Sequence, residues 1–139
     1  MSPTALAAKH LMYGDTIRGC LKMNAFENME NKMLHGANAT LASDLCQVKY
    51  VIIDEISMVG ANFFWQINQK LKMAKGSDEY FGGISVIATG DFHQLPPVRN
   101  PWIFNRTTFY GRANATVTNV WKTKFKMYKL TKNVRAEND

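Results

Sequence analysis

Two adjacent carboxylates close an apolar run: residues 50–59 read Tyr-Val-Ile-Ile-Asp-Glu-Ile-Ser-Met-Val. Val51, Ile52 and Ile53 are β-branched, which suits a strand buried on both faces of a parallel sheet. Charge is costly to bury, so Asp54 and Glu55 are expected just past the strand's carboxyl end, the edge where open α/β sheets bind ligands. One member of such a pair can hold Mg²⁺ while the other orients a water, the chemistry of nucleotide hydrolysis. A strand running into a solvated acidic turn would read the same way. A second apolar run, Ile84 to Ala88, closes on Thr89-Gly90-Asp91 and then Gln94. The Gln94 amide can donate to a phosphoryl oxygen and also hold a water. Alone, Gly-Asp-x-x-Gln is a weak signal. Two neighbouring strands delivering Asp54, Glu55, Asp91 and Gln94 to one sheet edge would build a single polar cleft.

The elements between these strand ends must bring them together. Phe63, Phe64, Ile67 and Leu71 fall at helical spacing over residues 61–74, a stripe that reads as core packing. Residues 75–83 are a turn-rich loop ahead of the second strand. Strand, helix, loop, strand is the order of a right-handed βαβ unit in a largely parallel sheet. Upstream, residues 4–12 are rich in Ala and Leu after Pro3 and read as a helix ended by Gly14. Residues 26–35 read as a short helix or a surface loop, and Leu41 to Val48 as a helix capped by Thr40 or Ser43. Beyond Pro96-Pro97 the pattern loosens, with strand pieces expected at 115–120 and 125–130.

At 139 residues the chain suits one domain, and its 46% hydrophobic and 20% charged residues describe a globular protein. Its +6 net charge is unevenly spread: residues 1–98 hold 8 Lys/Arg against 9 Asp/Glu, whereas residues 99–139 hold 9 against 2. Such a basic segment suits an anionic partner, nucleic acid before membrane, or a well-solvated surface. Two cysteines, Cys20 and Cys46, make neither a disulfide framework nor a Cys-x-x-Cys site, which points to a reducing intracellular compartment. His10, His35 and His93 lack metal-ligand spacing. No apolar run reaches membrane-spanning length, so no membrane partner is expected.

Val-Ile-Ile-Asp-Glu-Ile-Ser-Met-Val (51–59) and Gly-Asp-Phe-His-Gln-Leu-Pro-Pro-Val (90–98) resemble motifs II and III of the Pif1-like DNA helicases, including those of Helitron-type transposons. Ser-Pro-Thr-Ala-Leu-Ala-Ala (2–8) with Gly14-Asp15-Thr16-Ile17 is similar to their motif Ia, and Leu130-Thr-Lys-Asn-Val-Arg135 to motif IV. The resemblance covers nearly the whole chain in the family's order. It implies an α/β fold: residues 1–139 would be part of the first RecA-like (P-loop NTPase) domain, with its largely parallel sheet. It implies an ATP-dependent DNA helicase that couples hydrolysis to single-strand translocation and duplex unwinding, in DNA repair, recombination or telomere maintenance. ATP and Mg²⁺ would be the cofactors, single-stranded DNA the partner, and the nucleus or mitochondrion the location. Asp54 would coordinate Mg²⁺, and Glu55 would activate the attacking water. Gln94 would contact the γ-phosphate, and Arg135 would place positive charge on the transferring phosphoryl group. Pro3, Thr4, Thr16 and Arg18 would lie against DNA.

The chain departs from the family pattern in four respects. No Gly-x-x-x-x-Gly-Lys-Ser/Thr occurs in the 139 residues, so the P-loop strand is missing from this stretch, as is the second RecA-like domain. P-loop amides and lysine provide most of the phosphate grip, and the chain alone is expected to bind ATP very weakly and turn it over negligibly. The family usually carries Gly where Ala5 stands and His where Arg18 stands. A second reading is a non-catalytic helicase remnant, binding single strands weakly through its basic C-terminal region. Phe104, Phe109, Tyr110 and Trp121 would then stack on bases, or else form core. A metal-dependent hydrolase acting directly through Asp54 and Glu55 would need further ligands.

Overall fold

The computed structural model describes residues 1–23, 35–105 and 119–131. Its helices are α1 (Ala5–Ala8), α2 (Ile17–Cys20), α3 (His35–Leu45), α4 (Ala61–Lys75) and α5 (Val120–Lys124); its strands are β1 (Tyr50–Ile53) and β2 (Ser85–Ala88). β1 and β2 pair in parallel, with Ile53 opposite Ala88, and α4 lies between them in sequence. The expected βαβ order is therefore present. The sheet continues past β1 on its other side. The Met1 nitrogen donates to Ile52 O at 2.8 Å and Asp54 N–H donates to Met1 O at 3.0 Å, the pattern of a parallel neighbour. Ser2 in turn makes a parallel bridge with Thr16. Four segments thus run side by side, and all deliver their carboxyl ends to one edge.

The stripe on α4 packs as its spacing predicts. Phe64, Ile67 and Leu71 are buried and join Ile17, Leu21, Ile53, Ile56, Val59, Phe81, Ile84, Ile103 and Val120 in the core. Each such side chain contributes roughly 1.5–3 kcal/mol by leaving water. Phe63 is half-buried at the margin, under the Arg18 guanidinium at 4.9 Å. Asn68 is buried on the same helix, where its amide oxygen accepts the Phe81 N–H at 2.7 Å. That bond holds the 3-10 turn Tyr80–Gly83, in which Phe81 has a φ of 56°. The chain after Pro96-Pro97 returns to close the other end of α4. Pro101 O accepts the Ala61 N–H at 2.9 Å, and Asn100 Oδ1 accepts the Asn62 N–H at 3.2 Å. At the far end, the Lys75 ammonium donates to three carbonyls, Leu45 O (3.2 Å), Cys46 O (3.0 Å) and Val48 O (3.4 Å). It joins the end of α4 to the connector that enters β1.

Several expectations are corrected. The strands are buried on one face only: Ile53 is 0% exposed, but Tyr50, Ile52 and Ile87 are 68%, 49% and 50% exposed. Side chains alternate along a strand, and the described core lies on a single side of this sheet. α3 starts at His35, so Thr40 and Ser43 lie inside a helix rather than capping one. The first helix is the short α1, because the chain turns after Ala8. No strand forms over 125–130, and residues 120–124 are helical. There the Asn119 side chain caps α5 by accepting the Lys122 N–H at 3.1 Å, while Trp121 and Phe125 join an aromatic cluster. The readings made for most of residues 26–35 and for 115–118 fall outside the described residues.

Candidate nucleotide-handling edge

Asp54 and Glu55 stand directly past β1, as the cost of burying charge requires, and both are half-buried. The parallel register that sets Ile53 against Ala88 sets Asp54 against Thr89. Thr89 is bonded to this bend three times: its N–H donates to Ile53 O (2.9 Å), its carbonyl accepts from Ile56 N–H (2.9 Å), and its hydroxyl donates to Asp54 Oδ1 (2.7 Å). The Glu55 N–H donates to the same Oδ1 at 3.0 Å. Glu55 itself sits in the left-handed region (φ 55°, ψ 45°) at the head of the 3-10 turn Ile56–Met58. A non-glycine residue there carries about 1–3 kcal/mol of backbone strain, of the kind stored at functional sites. Gly90 makes the close approach possible, since a Cβ on it would lie 2.8 Å from Ile56 N.

Beyond Gly90 the chain turns on itself. The Asp91 carboxylate accepts the His93 N–H at 2.9 Å and the Gln94 amide at 3.4 Å, and Gln94 N–H bonds Asp91 O at 3.1 Å. The His93 N–H, helped by the Gln94 amide, holds the Asp91 carboxyl below its ordinary value of 3.8. Gln94 is exposed, with its amide turned onto its own loop. Between Asp91 and Gln94, Phe92 anchors the turn against Trp102, Phe104 and Trp121 at centroid distances of 6.1, 5.7 and 5.9 Å. Phe104 and Trp121 are therefore packed within an aromatic cluster.

The residues expected to face DNA come together on the N-terminal segment of the same sheet. The bridge between Ser2 and Thr16 sets Pro3 and Thr4 beside the start of α2. Thr4 and Thr16 both cap helices, their hydroxyls accepting Ala7 N–H (3.2 Å) and Gly19 N–H (3.0 Å). Arg18 stacks over Phe63, which fixes its stem to α4. Arg135 lies outside the described residues, as do Phe109 and Tyr110. Thr89 was not singled out from sequence. The signal for it was its place one residue past the strand that pairs with β1.

Both bonds to Asp54 fall on Oδ1, which leaves Oδ2 for a cation or its water shell. Among the described residues no group of three His, Cys, Asp or Glu could hold a metal. Mg²⁺ is commonly held by one or two carboxylates together with substrate phosphates, so the residues present fit it. An ion caged by protein ligands alone has no such set among the described residues. The Cys20 thiol, pushed up by burial, is a poor nucleophile.

Comparison with known proteins bears on the family and the fold. The PIF1-like helicase family model matches residues 1–139. An ATP-dependent DNA helicase Pif1 from Psychrobacter is 37% identical over 108 residues, 76% of this chain and 16% of its own length. ATP-dependent DNA helicase PIF1 from Xenopus laevis is 45% identical over 65 residues, 47% of this chain and 10% of its own length. The chain thus spans only a small part of these curated relatives. A crystal structure of Pif1 helicase from Bacteroides in complex with ADP-AlF3 and ssDNA superposes with a TM-score of 0.58 at 35% identity, over 71% of this chain and 23% of that one. The helicase from Candida albicans gives 0.53 at 28% identity, over 74% of this chain and 24% of that one. The α/β architecture is that of the RecA-like helicases, and the chain belongs to the PIF1-like helicase family.

Proposed function

We propose that residues 1–139 form part of the first RecA-like domain of an ATP-dependent DNA helicase and carry its metal-and-water carboxylates. The observation that carries this reading is the restraint at the carboxyl edge: Asp54 fixed through one oxygen, beside a Glu55 held in a strained backbone conformation. Asp54 would hold Mg²⁺ through its remaining oxygen. Bound there, the metal supplies charge neutralisation on the β- and γ-phosphates. Glu55 would take the proton of the attacking water, and Gln94 would turn from Asp91 toward the γ-phosphate when nucleotide is present. Arg135 would add positive charge to the same phosphoryl group. Pro3, Thr4, Thr16 and Arg18 would meet single-stranded DNA along the neighbouring segment. The Bacteroides relative was captured with ADP-AlF3 and ssDNA, which supports a nucleotide and a single strand as the ligands of this fold. Translocation, unwinding, and a nuclear or mitochondrial role in repair, recombination or telomere maintenance belong to the same proposal.

The 139 residues contain no P-loop, and without its amides and lysine they should turn over ATP negligibly by themselves. The test is DNA-stimulated ATP hydrolysis by the natural gene product that contains these residues, compared with its Glu55→Gln variant and with the 139-residue chain alone. Activity in the gene product, lost in the variant and absent from the chain alone, is the expected result. Turnover that survives Glu55→Gln would overturn the assignment. A gene product that hydrolyses nothing but binds single strands in a salt-sensitive way would favour the remnant. The exposed Lys122, Lys124, Lys126 and Lys129 are what support that second reading.

A further inference from the structure

We propose that Thr89 is the positioning residue of this edge, orienting the Asp54 carboxylate from the end of β2. The inference rests on the reading of Asp54 given above and adds to it the group that sets its geometry. A carboxylate at a strand end can rotate about its last side-chain bond and offer either oxygen to a cation. Here the rotation is stopped by two donors of different origin. The Glu55 N–H comes from Asp54's own chain, and the Thr89 hydroxyl reaches across from the neighbouring strand at 2.7 Å. An O–H donated to an ionised carboxylate is a strong bond, roughly twice a neutral one. Thr89 can serve as a fixed reference because its own N–H and C=O are bonded to Ile53 and Ile56 on either side of the carboxylate pair. It is also two residues from Asp91, so a single residue, Gly90, packed against Ile56 N, separates it from the turn that carries Gln94.

Thr89 is exposed at a strand end and valine has nearly its shape, so Thr89→Val should leave the fold intact. Its value lies in orientation, and groups that orient a metal ligand typically cost 10–100-fold in metal affinity or activity when lost, as a rough guide.

Thr89→Val removes the hydroxyl, and Thr89→Ser keeps it. In the natural gene product, without nucleotide, the ¹³C resonance of the Asp54 carboxyl should move in Thr89→Val and stay in place in Thr89→Ser. In the natural gene product, Thr89→Val should need roughly tenfold more Mg²⁺ for half-maximal ATP turnover. Its KM for ATP at saturating Mg²⁺ should be unchanged, and Thr89→Ser should restore the ordinary requirement. An Asp54 resonance that ignores Thr89→Val overturns the proposal. So does an active gene product whose Mg²⁺ dependence is the same in both variants. A wild-type gene product with no ATPase would count against the helicase reading instead, while the carboxyl resonance would still decide whether Thr89 sets Asp54.

Discussion

Asp54 and Asp91 both follow a strand of the same parallel pair, yet they are restrained by different things. Asp54 is half-buried and bonded by the neighbouring strand through Thr89, next to a residue whose backbone is strained. Asp91 is exposed and, among the described residues, is bonded by its own turn, through His93 and Gln94. The first is fixed by the sheet, and its position cannot change without moving both strands. The second belongs to a local turn, which can rearrange while the sheet stays still. Identical chemistry at two strand ends therefore divides into a fixed carboxylate and a responsive one, and the division comes from who supplies the donors.

Substitutions should separate the two ends. The largest effect is expected at the fixed end: Glu55→Gln should lower the turnover number of the gene product by about 10²–10⁴-fold, the range for loss of a general base. Nucleotide and DNA binding should be retained, as equilibrium titration would check. Gly90→Ala tests the hinge between the ends. Its new Cβ would lie 2.8 Å from a backbone nitrogen, so the bend must open. A loss of about 1–3 kcal/mol in urea unfolding is expected. Wild-type stability in Gly90→Ala would mean that the two ends are not held in contact. Glu55→Gly should do the reverse, raising stability by about 1 kcal/mol because glycine accepts the left-handed conformation without strain. A destabilised Glu55→Gly would show that this residue contributes more by its contacts than its backbone conformation costs.

The smallest effect belongs to Asp91, and it should appear only in acid. Its carboxyl titrates below the ordinary 3.8 in the folded chain because the His93 N–H bonds the charged form. Its contribution to stability is therefore complete above that ordinary value and disappears as pH falls through the lowered one. Urea midpoints of wild type and Asp91→Asn should differ most above the ordinary value of 3.8 and converge only below the lowered one. A difference that grows on acidification would reverse the assignment.

Much of this was legible in the sequence, for reasons that can be named. β1, α4 and β2 follow from strong local periodicity, and the acidic residues fall past the strands because charge resists burial. Partners contributed by a distant segment were not legible. A strand was expected as far as Val120 and again from Phe125, but the Asn119 cap and the packing of Trp121 and Phe125 make residues 120–124 a helix. Thr40 and Ser43 looked like caps only because the turn of α3 before them shows no apolar signal. One-sided burial of the strands was hidden, since an unbroken apolar run reads alike whether one face or two are covered. Thr89 stood in the polar cluster without a role for a related reason: that role depends on register between two strands, which no local pattern states.

The Lys75 ammonium that gathers three carbonyls has a consequence for substitution at that position. The acceptors converge on a single atom from the end of one helix and the connector after it. A tetrahedral nitrogen with three hydrogens can satisfy them together, whereas a planar guanidinium spreads its donors along a flat fork. Arginine at residue 75 would keep the charge and lose the fit. At this position the shape of the cation matters, and an exchange that leaves the net charge untouched would still loosen the entry into β1.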